Sequence, residues 1–540
     1  MTNYIDYADL PISNPDQDLY GIDAFVKSLA QSVCTMKTPQ GVVIALNGPW
    51  GSGKSSAINL LKHHLQEAVS KGEIEIVTFN PWWFRGEEAL VLAFFRELYT
   101  ATKPSLTKKA KKALPKLGAR LLKAGSAVGS TADAFGAGGA GAAVSGTMDW
   151  LSGLIEDEES IEKLHLELAA GLADQKKRFV VVIDDIDRLA PDEAMAMFRL
   201  VKSVGRLPNV IDVLAFDRTL AEKAVAERFP SEGPHYLEKI VQASFELPEP
   251  LANDLQNQVI SKIWDVAEQP NDRLIVHFMN LFYEIVTPEI KTPRDAIRFT
   301  NALSITWPSV AGEVDLGDFI ALEAYRLFQP AIHQAIRRNQ TLLCGAASIS
   351  MGRPQTTAEQ LDALLLSSVP DPEVYRKGLM RLFPKLKSIW ANTYGDMGKF
   401  VKQRRACVAE FFPTYFRLSL SDDVVPRSEI DAIISHAADQ EWIRDKLLLS
   451  VQETRRGGGT RAAPILDALT QNAEDVSIDD VASLLSAIFS IADDLDVEAD
   501  EARAFSFSNN SLRIHWLLRS LTRDRTDLTQ RSAILVKAAR

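Results

Sequence analysis

The sequence predicts an α/β protein with a parallel sheet, followed by a mainly α-helical region. In the first half of the chain, short apolar segments alternate with segments of helical periodicity. That alternation is typical of a parallel, doubly wound sheet. Beyond Pro250 the pattern is nearly all helical. We therefore expect a lead-in over residues 1–40, a sheet domain over 41–250, a helical lid over 251–305 and an α-helical domain over 306–540.

Composition indicates an ordinary globular protein. The 540 residues suffice for two or three domains, and the apolar fraction of 46% and charged fraction of 24% are near the usual averages. The net charge of −11 argues against electrostatic binding of nucleic acid over the whole surface, although it allows local basic patches. The three cysteines lack C-x-x-C spacing, and the eight histidines show no metal-ligand spacing. We therefore expect no disulfide framework and no metal centre formed by cysteine or histidine ligands.

The sequence shows no signal for secretion or membrane insertion. The N-terminus has no basic region before an apolar core, and no uncharged apolar run reaches the roughly 18–20 residues of a membrane-spanning helix. The scattered cysteines are compatible with a reducing compartment. We expect a cytoplasmic protein without a membrane span.

The first apolar strand leads directly into a glycine-rich loop. Residues 48–55 fit the pattern G-x-x-x-x-G-K-[ST]. Its glycines allow consecutive backbone N–H groups to point at phosphate oxygens, and the following helix adds the positive end of its dipole. Lys54 is expected to reach the β- and γ-phosphates, and Ser55 to offer its hydroxyl to Mg²⁺. The predicted nucleotide-binding residues are Gly48, Pro49, Trp50, Gly51, Ser52, Gly53, Lys54, Ser55 and Ser56.

The second strand, over residues 73–79, runs into the aromatic cluster Asn80–Phe84. We interpret this cluster as a hydrophobic plug at the strand end, with direct ligand contact as the alternative. Residues 103–165 differ in composition and are predicted to be an insertion in the sheet domain. They contain a basic stretch without acidic residues (Lys103–Lys123), a Gly/Ala/Ser tract over 124–146 and an acidic run over 156–162. A flexible loop, a self-associating helical hairpin and a contact with nucleic acid or anionic lipid all remain open.

Acidic residues follow the third strand. Five consecutive apolar residues, Phe179–Ile183, predict a strand buried on both faces. Asp184 and Asp185 follow at its carboxyl end, where α/β sheets bind ligands. Together with a phosphate loop, Asp184 is expected to hold Mg²⁺ through water, and Asp185 to polarise the attacking water.

Further polar residues lie where they can complete such a site. A fourth strand over residues 210–216 ends in Asp217, which is placed to touch the γ-phosphate or its water, and a fifth strand covers 241–247. Thr292 is predicted to cap a helix that Pro293 opens, so that Arg294 faces whatever lies at the start of that helix and could reach back to the γ-phosphate. Candidate cationic fingers, in cis or in trans across an oligomer, are Arg188, Arg218 and Arg294.

Six separated motifs together resemble the KAP family of P-loop NTPases. They span about residues 9–305, and a weaker likeness occurs near Phe411–Phe416. The motifs are Gly48–Ser55, Asn80–Phe84, Asp184–Arg188, Ala215–Arg218, Tyr236–Ile240 and Thr292–Asn301.

The resemblance implies a five-stranded sheet of order 5-1-4-3-2 and binding of ATP with Mg²⁺. Many family members carry transmembrane helices between the two main motifs, but the insertion in this sequence lacks their hydrophobicity. Bacterial members include phage-exclusion proteins and ATPase subunits of multi-gene anti-phage systems, one of which also encodes a queuosine-synthesis-like enzyme and a TatD-like nuclease. This chain resembles that last kind, which implies partner proteins and a homo-oligomer.

The leading hypothesis is an ATPase that hydrolyses ATP to drive or gate a conformational or assembly change. Its catalytic residues would be Lys54, Asp185, Arg188, Asp217 and Arg294. A nucleic-acid-stimulated ATPase that uses Lys103–Lys123 is one alternative. A scaffold that ATP locks, with little turnover, is another.

Overall fold

The computed structural model describes residues 9–36, 40–104, 106–125, 161–204, 206–228, 235–345, 357–391, 398–421, 424–501, 509–523 and 525–539. The chain divides into two compact units. The sheet unit comprises Ala8–Leu255 with Thr292–Asp295, and the helical unit contains Gln256–Lys291 and Ala296–Arg540.

Five parallel strands form one sheet in the spatial order β2-β3-β4-β1-β5. Read from the opposite edge, this is 5-1-4-3-2, so the predicted fold class and strand order are confirmed. The central strands β1, β3 and β4 are almost entirely buried, as their apolar runs predict. The strands are β1 Val42–Asn47, β2 Ile74–Phe79, β3 Arg178–Ile183, β4 Val210–Phe216 and β5 Ala243–Glu246.

Helices cover both faces of the sheet. Side chains alternate along each strand, so that Ile44 and Leu46 join one apolar core while Val43 and Ala45 join the other. Helices α1 and α2 contribute to the first core, and α3 to α7 contribute to the second. These helices are α1 Ile22–Thr35, α2 Lys54–Ser70, α3 Glu87–Thr102, α4 Lys108–Gly125, α5 Ile161–Ala173, α6 Pro191–Val204 and α7 Arg218–Arg228, with a short helix at His235–Glu238.

The two ends of the predicted insertion pack onto the sheet unit. Leu114 and Leu117 of α4 share the second core with Leu164 of α5. The two helices can approach closely because Gly171 has no side chain. A Cβ at that position would lie only 2.5 Å from the Cβ of Ala110. The Gly/Ala/Ser tract and most of the acidic run lie outside the described residues.

The helical unit is built from many short helices. Those beyond residue 425 share one apolar core. In the part of the chain that the structure describes, no helix is both long and apolar enough to cross a membrane. The helices are Ala252–Val266, Asp272–Leu281, Thr287–Glu289, Pro293–Thr306, Leu316–Phe328, Pro330–Arg338, Gln340–Leu343, Ala358–Leu365, Pro372–Leu382, Lys387–Trp390, Gly398–Lys402, Phe412–Arg417, Arg427–Ser435, Gln440–Gln452, Ala462–Gln471, Ile478–Ser490, Ala492–Leu495, Asn510–Thr522 and Leu528–Ala538.

A buried charged network lies inside the helical unit. Asp318 accepts hydrogen bonds from the Arg405 Nε (2.6 Å) and faces the His277 Nε2 at 2.9 Å. Burial alone would raise the pKa of Asp318, but the charges of Arg405 and His277 outweigh it and hold that pKa below its usual value. The neighbouring Asp315 has its pKa raised to about 6 by burial and by the charge of Asp318.

The same network contains a group that sequence spacing does not show. His277, Asp315 and Asp318 place potential metal-ligand atoms within 4.8 Å of one another. Arg405 already supplies a cation to Asp318, so we interpret the group as an ion-pair network. Tyr415, from the weaker family-like segment, accepts a hydrogen bond from the Asp315 N–H and donates one to the Arg404 carbonyl.

Candidate nucleotide-binding site

The glycine-rich loop joins β1 to the first turn of α2. Gly51 and Gly53 have φ values of +88° and +98°, which side-chain-bearing residues rarely adopt. A Cβ on Gly51 would also lie 2.9 Å from the Cβ of Arg294 and 3.0 Å from the Thr292 Oγ1. The loop therefore needs glycine both for its backbone shape and for its contact with residues 292–294.

A hydroxyl group inside the loop suits a phosphate ligand. The buried Ser52 Oγ has no hydrogen-bond partner among the described residues. A buried hydroxyl without a partner is costly unless a ligand or water completes its hydrogen bonds. The loop thus fits an anion bound by N–H and O–H donors.

Lys54, the first residue of α2, lies between the loop and the acidic segment after β3. It is only 8% exposed. Its Nζ donates to the carbonyl oxygens of Gly48 (2.9 Å) and Pro49 (3.3 Å) and lies 3.5 Å from the Asp187 Oδ2. The ammonium group is therefore held at the carboxyl edge of the sheet.

The structure places the hydroxyl of Ser55 directly against Asp184. The Ser55 Oγ donates to the Asp184 Oδ2 over 2.7 Å, although the residues are 129 positions apart. Burial raises the pKa of Asp184, while the Ser55 hydrogen bond and the Lys54 charge act in the opposite direction. A hydroxyl and a carboxylate at this separation are hard oxygen donors of the kind that Mg²⁺ prefers, so the residues fit the metal.

Asp185 is held from two sides. Its Oδ2 accepts a hydrogen bond from the Asn80 Nδ2 (3.2 Å), and its Oδ1 lies 2.8 Å from the Arg188 Nε. The Arg188 guanidinium in turn lies 5.5 Å from the ring centroid of Trp82. The backbone of Asp185 has φ +62°, an uncommon conformation for a residue with a side chain and one that recurs at functional sites.

Sequence reasoning placed Asn80 only within a predicted hydrophobic plug and assigned no role to Asp187, yet both residues contact the site. Asn80 directly follows β2, which is the neighbour of β3, so the strand order 5-1-4-3-2 was the signal for its approach to Asp185. The nearly buried carboxylate of Asp187 pairs with Lys54 and accepts a hydrogen bond from the Asp217 N–H (3.1 Å). Its position two residues after Asp185 was the available signal.

Asp217 and Arg218 have local partners in the structure. The Asp217 Oδ1 accepts hydrogen bonds from the N–H groups of Thr219 (2.9 Å) and Leu220 (3.3 Å), and so caps α7. Arg218 pairs with Glu222 on the same helix over 2.7 Å. Asp217 therefore reaches the site through its backbone, and the proposed contact of its side chain with the γ-phosphate remains a prediction.

Arg294 lies at the phosphate loop. Its guanidinium lies 4.1 Å from the centroid of the Trp50 ring, and its Nε pairs with the Asp9 Oδ2 over 2.8 Å. Thr292 accepts a hydrogen bond from the Asp295 N–H, as the predicted helix cap requires. The side chain of Arg294 thus links the loop to the lead-in.

The lead-in lies along the first turns of α2. The Ser56 Oγ accepts a hydrogen bond from the Ile12 N–H (3.2 Å), and the Asn59 Nδ2 donates to the Ile12 carbonyl (3.1 Å). Ser56, predicted to bind nucleotide, therefore also anchors the lead-in.

The chain is similar to the phage T7 exclusion protein of Escherichia coli (strain K12), with 27% identity over 361 residues. That alignment covers 60% of this chain and 46% of the relative, so the chain spans about half of the relative's length.

Two archaeal structures show only a distant likeness. The Aeropyrum pernix ORC1 protein in complex with DNA is 13% identical, with a TM-score of 0.31 over 68% of this chain and 84% of that one. Cdc6p from Pyrobaculum aerophilum is 11% identical, with a TM-score of 0.32 over 71% and 89% of the two chains.

The family model described as "KAP family P-loop domain" matches residues 22–310. This range contains the phosphate loop, the whole sheet and the segment with Arg294. Because it makes up more than half of the chain, the protein belongs to the KAP family of P-loop NTPases.

Proposed function

We propose that this protein is a Mg²⁺-dependent ATPase whose nucleotide cycle drives or gates a conformational or assembly change. The observation that carries the proposal is the hydrogen bond between Ser55 and Asp184, with Lys54 buried beside them. The nucleotide-binding and acidic motifs thus share one edge of the sheet. Phosphoryl transfer depends mainly on positioning and charge neutralisation, and these side chains supply both.

Each side chain has a distinct role in the proposed reaction. Lys54 now donates to two carbonyl oxygens, and it would exchange these acceptors for oxygens of the β- and γ-phosphates. Ser55 and Asp184 would hold Mg²⁺, which neutralises phosphate charge when bound. Arg294 lies close enough to the loop to serve as a cationic group in cis.

Asp185 would orient and polarise the attacking water. The contacts from Asn80 and Arg188 fix the direction of its carboxylate. Arg188 is therefore proposed as a positioning residue for Asp185, in place of its predicted role as a finger. Release of Asp185 from one of these contacts would free an oxygen to accept a hydrogen bond from water.

The test separates nucleotide binding from turnover. Lys54→Ala is expected to abolish ATP binding in titration calorimetry, whereas Asp185→Asn should retain binding and lose phosphate release. Lys71→Ala and Asp174→Asn are matched controls because both residues are exposed in the same unit. Normal hydrolysis by Asp185→Asn would show that the assignment of Asp185 is wrong. Wild-type protein that retains ATP through gel filtration without phosphate release would favour the nucleotide-locked scaffold.

We further propose that this ATPase is the nucleotide-dependent component of a bacterial anti-phage system with partner proteins. The support is the 27% identity to a phage T7 exclusion protein. Cells that express the complete gene cluster should lower the plaque count of a sensitive phage, and Lys54→Ala should abolish that protection. Protection that persists at equal protein levels would contradict a nucleotide-dependent role. Light scattering with a slowly hydrolysed ATP analogue tests the proposed homo-oligomer.

A further inference from the structure

Helix α4 presents two chemically different faces. Its apolar residues Ala110, Ala113, Leu114 and Leu117 are buried in the core of the sheet unit. Its lysines Lys108, Lys109 and Lys112 are exposed. At about 100° per residue these three lysines fall within roughly 100° of arc, opposite the buried face. We call them the lysine face.

Among the described residues, the lysine face has no charge compensation. The sequence contains no Asp or Glu from Lys103 to Lys123. Across the described ranges, the structure shows no ion pair to Lys108, Lys109 or Lys112. Like charges four positions apart, as in Lys108 and Lys112, destabilise a helix. A basic surface of this kind stands out in a chain whose net charge is −11.

The placement of α4 argues against a membrane as the partner. Amphipathic helices bind membranes by inserting their apolar face between lipids. In α4 that face is already packed against the sheet unit, with Ala110 and Leu114 almost wholly buried. Only the charged face remains for an external partner.

The composition of α4 favours a duplex over a single-stranded nucleic acid as its partner. Proteins that bind single strands stack bases on aromatic side chains. Residues 106–125 contain no Phe, Tyr or Trp. Lysine carries a point charge that suits phosphate oxygens. Proteins that recognise a base sequence through paired hydrogen bonds favour arginine instead. The exposed side chains therefore match the phosphate backbone of a duplex.

We propose that the lysine face of α4 binds the phosphate backbone of a nucleic-acid duplex without sequence preference. From Lys108 to Lys112 the helix rises by about 6 Å, and a DNA duplex carries about three to four phosphate charges over that length. The three lysines can therefore each meet a separate phosphate. This binding surface is separate from the nucleotide site and from the proposed ATPase reaction.

The salt dependence of binding gives a quantitative test. We would measure fluorescence anisotropy of labelled DNA and RNA duplexes of about 30 base pairs, from about 50 to 300 mM KCl. The variant is K108Q/K109Q/K112Q. The control is K71Q/K176Q/K223Q, which removes the same charge from exposed positions in the same unit.

Loss of three phosphate contacts should flatten the slope of log K against log salt by about 2.7 for DNA. If variant and wild type bind equally at an extrapolated 1 M salt, this difference in slope makes the variant bind about 500-fold more weakly than the wild type near 0.1 M salt. The control variant should bind as the wild type does. Lys54→Ala should also keep duplex binding, which separates this result from a failure of the proposed ATPase.

Several outcomes would overturn the proposal. They are equal weakening by the control variant, tighter binding of a single strand of the same length, and binding to phosphatidylserine vesicles without binding to either duplex. A wild-type slope shallower than about −2.7 would also overturn it, because three phosphate contacts require at least that value. This last measurement does not depend on how well the variant folds.

Discussion

A buried carboxylate in the centre of the sheet should make the protein less stable as pH rises. Asp212 lies in β4 between Val43 of β1 and Val181 of β3. It is 0% exposed, and neither carboxylate oxygen has a hydrogen-bond partner among the described residues. Burial raises the pKa of Asp212 to about 8. The native state therefore keeps this carboxyl protonated at neutral pH.

The size of the effect follows from proton linkage. In the unfolded chain an Asp carboxyl has a pKa of about 3.9. Between that value and the folded value of about 8, the native state binds one proton that the unfolded state lacks. The free energy of unfolding therefore falls as pH rises, by up to about 1.4 kcal/mol per pH unit. Between about pH 5 and pH 7.5 the loss amounts to about 3 kcal/mol.

Asp212→Asn and Asp212→Val remove this titration. Denaturant unfolding of wild type and variants across this pH range gives the difference in free energy of unfolding, in which other titrating groups cancel. The variants should gain about 3 kcal/mol relative to wild type between about pH 5 and pH 7.5. Asp174→Asn, at an exposed position, should show almost no such change. A pH-independent difference would refute the reasoning, because it would mean that the carboxylate has the same pKa in both states.

Two further predictions concern packing and the lead-in. Gly171→Leu should lower the free energy of unfolding by about 1–3 kcal/mol in denaturant titrations, since its side chain would press on Ala110; Gly457→Ala, with nothing within 4 Å, is the control. Asp9→Asn should raise ATP affinity about two- to fivefold in titration calorimetry, because a partly exposed ion pair that competes for Arg294 is lost. Equal affinity of wild type and Asp9→Asn would contradict that competition.

The central strands were predictable because burial on both faces leaves a continuous apolar run. The apolar runs at 179–183 and 210–216 agree with the bounds of β3 and β4 to within one residue. The edge strand β5 is shorter than its predicted range of 241–247. Before it begins, the Gln242 backbone N–H still donates to the Val43 carbonyl (3.0 Å), but the Val43 N–H donates to the Gln242 side chain (2.7 Å), so a side chain replaces one backbone acceptor there. Apolar pattern alone cannot show this replacement.

The basic stretch was harder to interpret from sequence. Its lysines suggested an inserted segment, yet Ala110, Leu114 and Leu117 recur at helical spacing and pack into the core. The site shows the same limit. Motif spacing identified Lys54 and Asp184. Asn80 instead contacts Asp185, 105 positions away, and that contact depends on which strands are neighbours in the sheet.

The arrangement of the site follows from the sheet more than from its loops. Strand order places β4 between β1 and β3, so the end of β4 lies between the strands that lead to Lys54 and to Asp184. At that end the backbone N–H of Asp217 donates to Asp187, which in turn faces Lys54. Asn80 joins the end of β2 to Asp185. Polar contacts thus connect the carboxyl ends of four strands, and because the strand register fixes those ends, the sheet holds the proposed metal ligands and the proposed catalytic carboxylate in one frame.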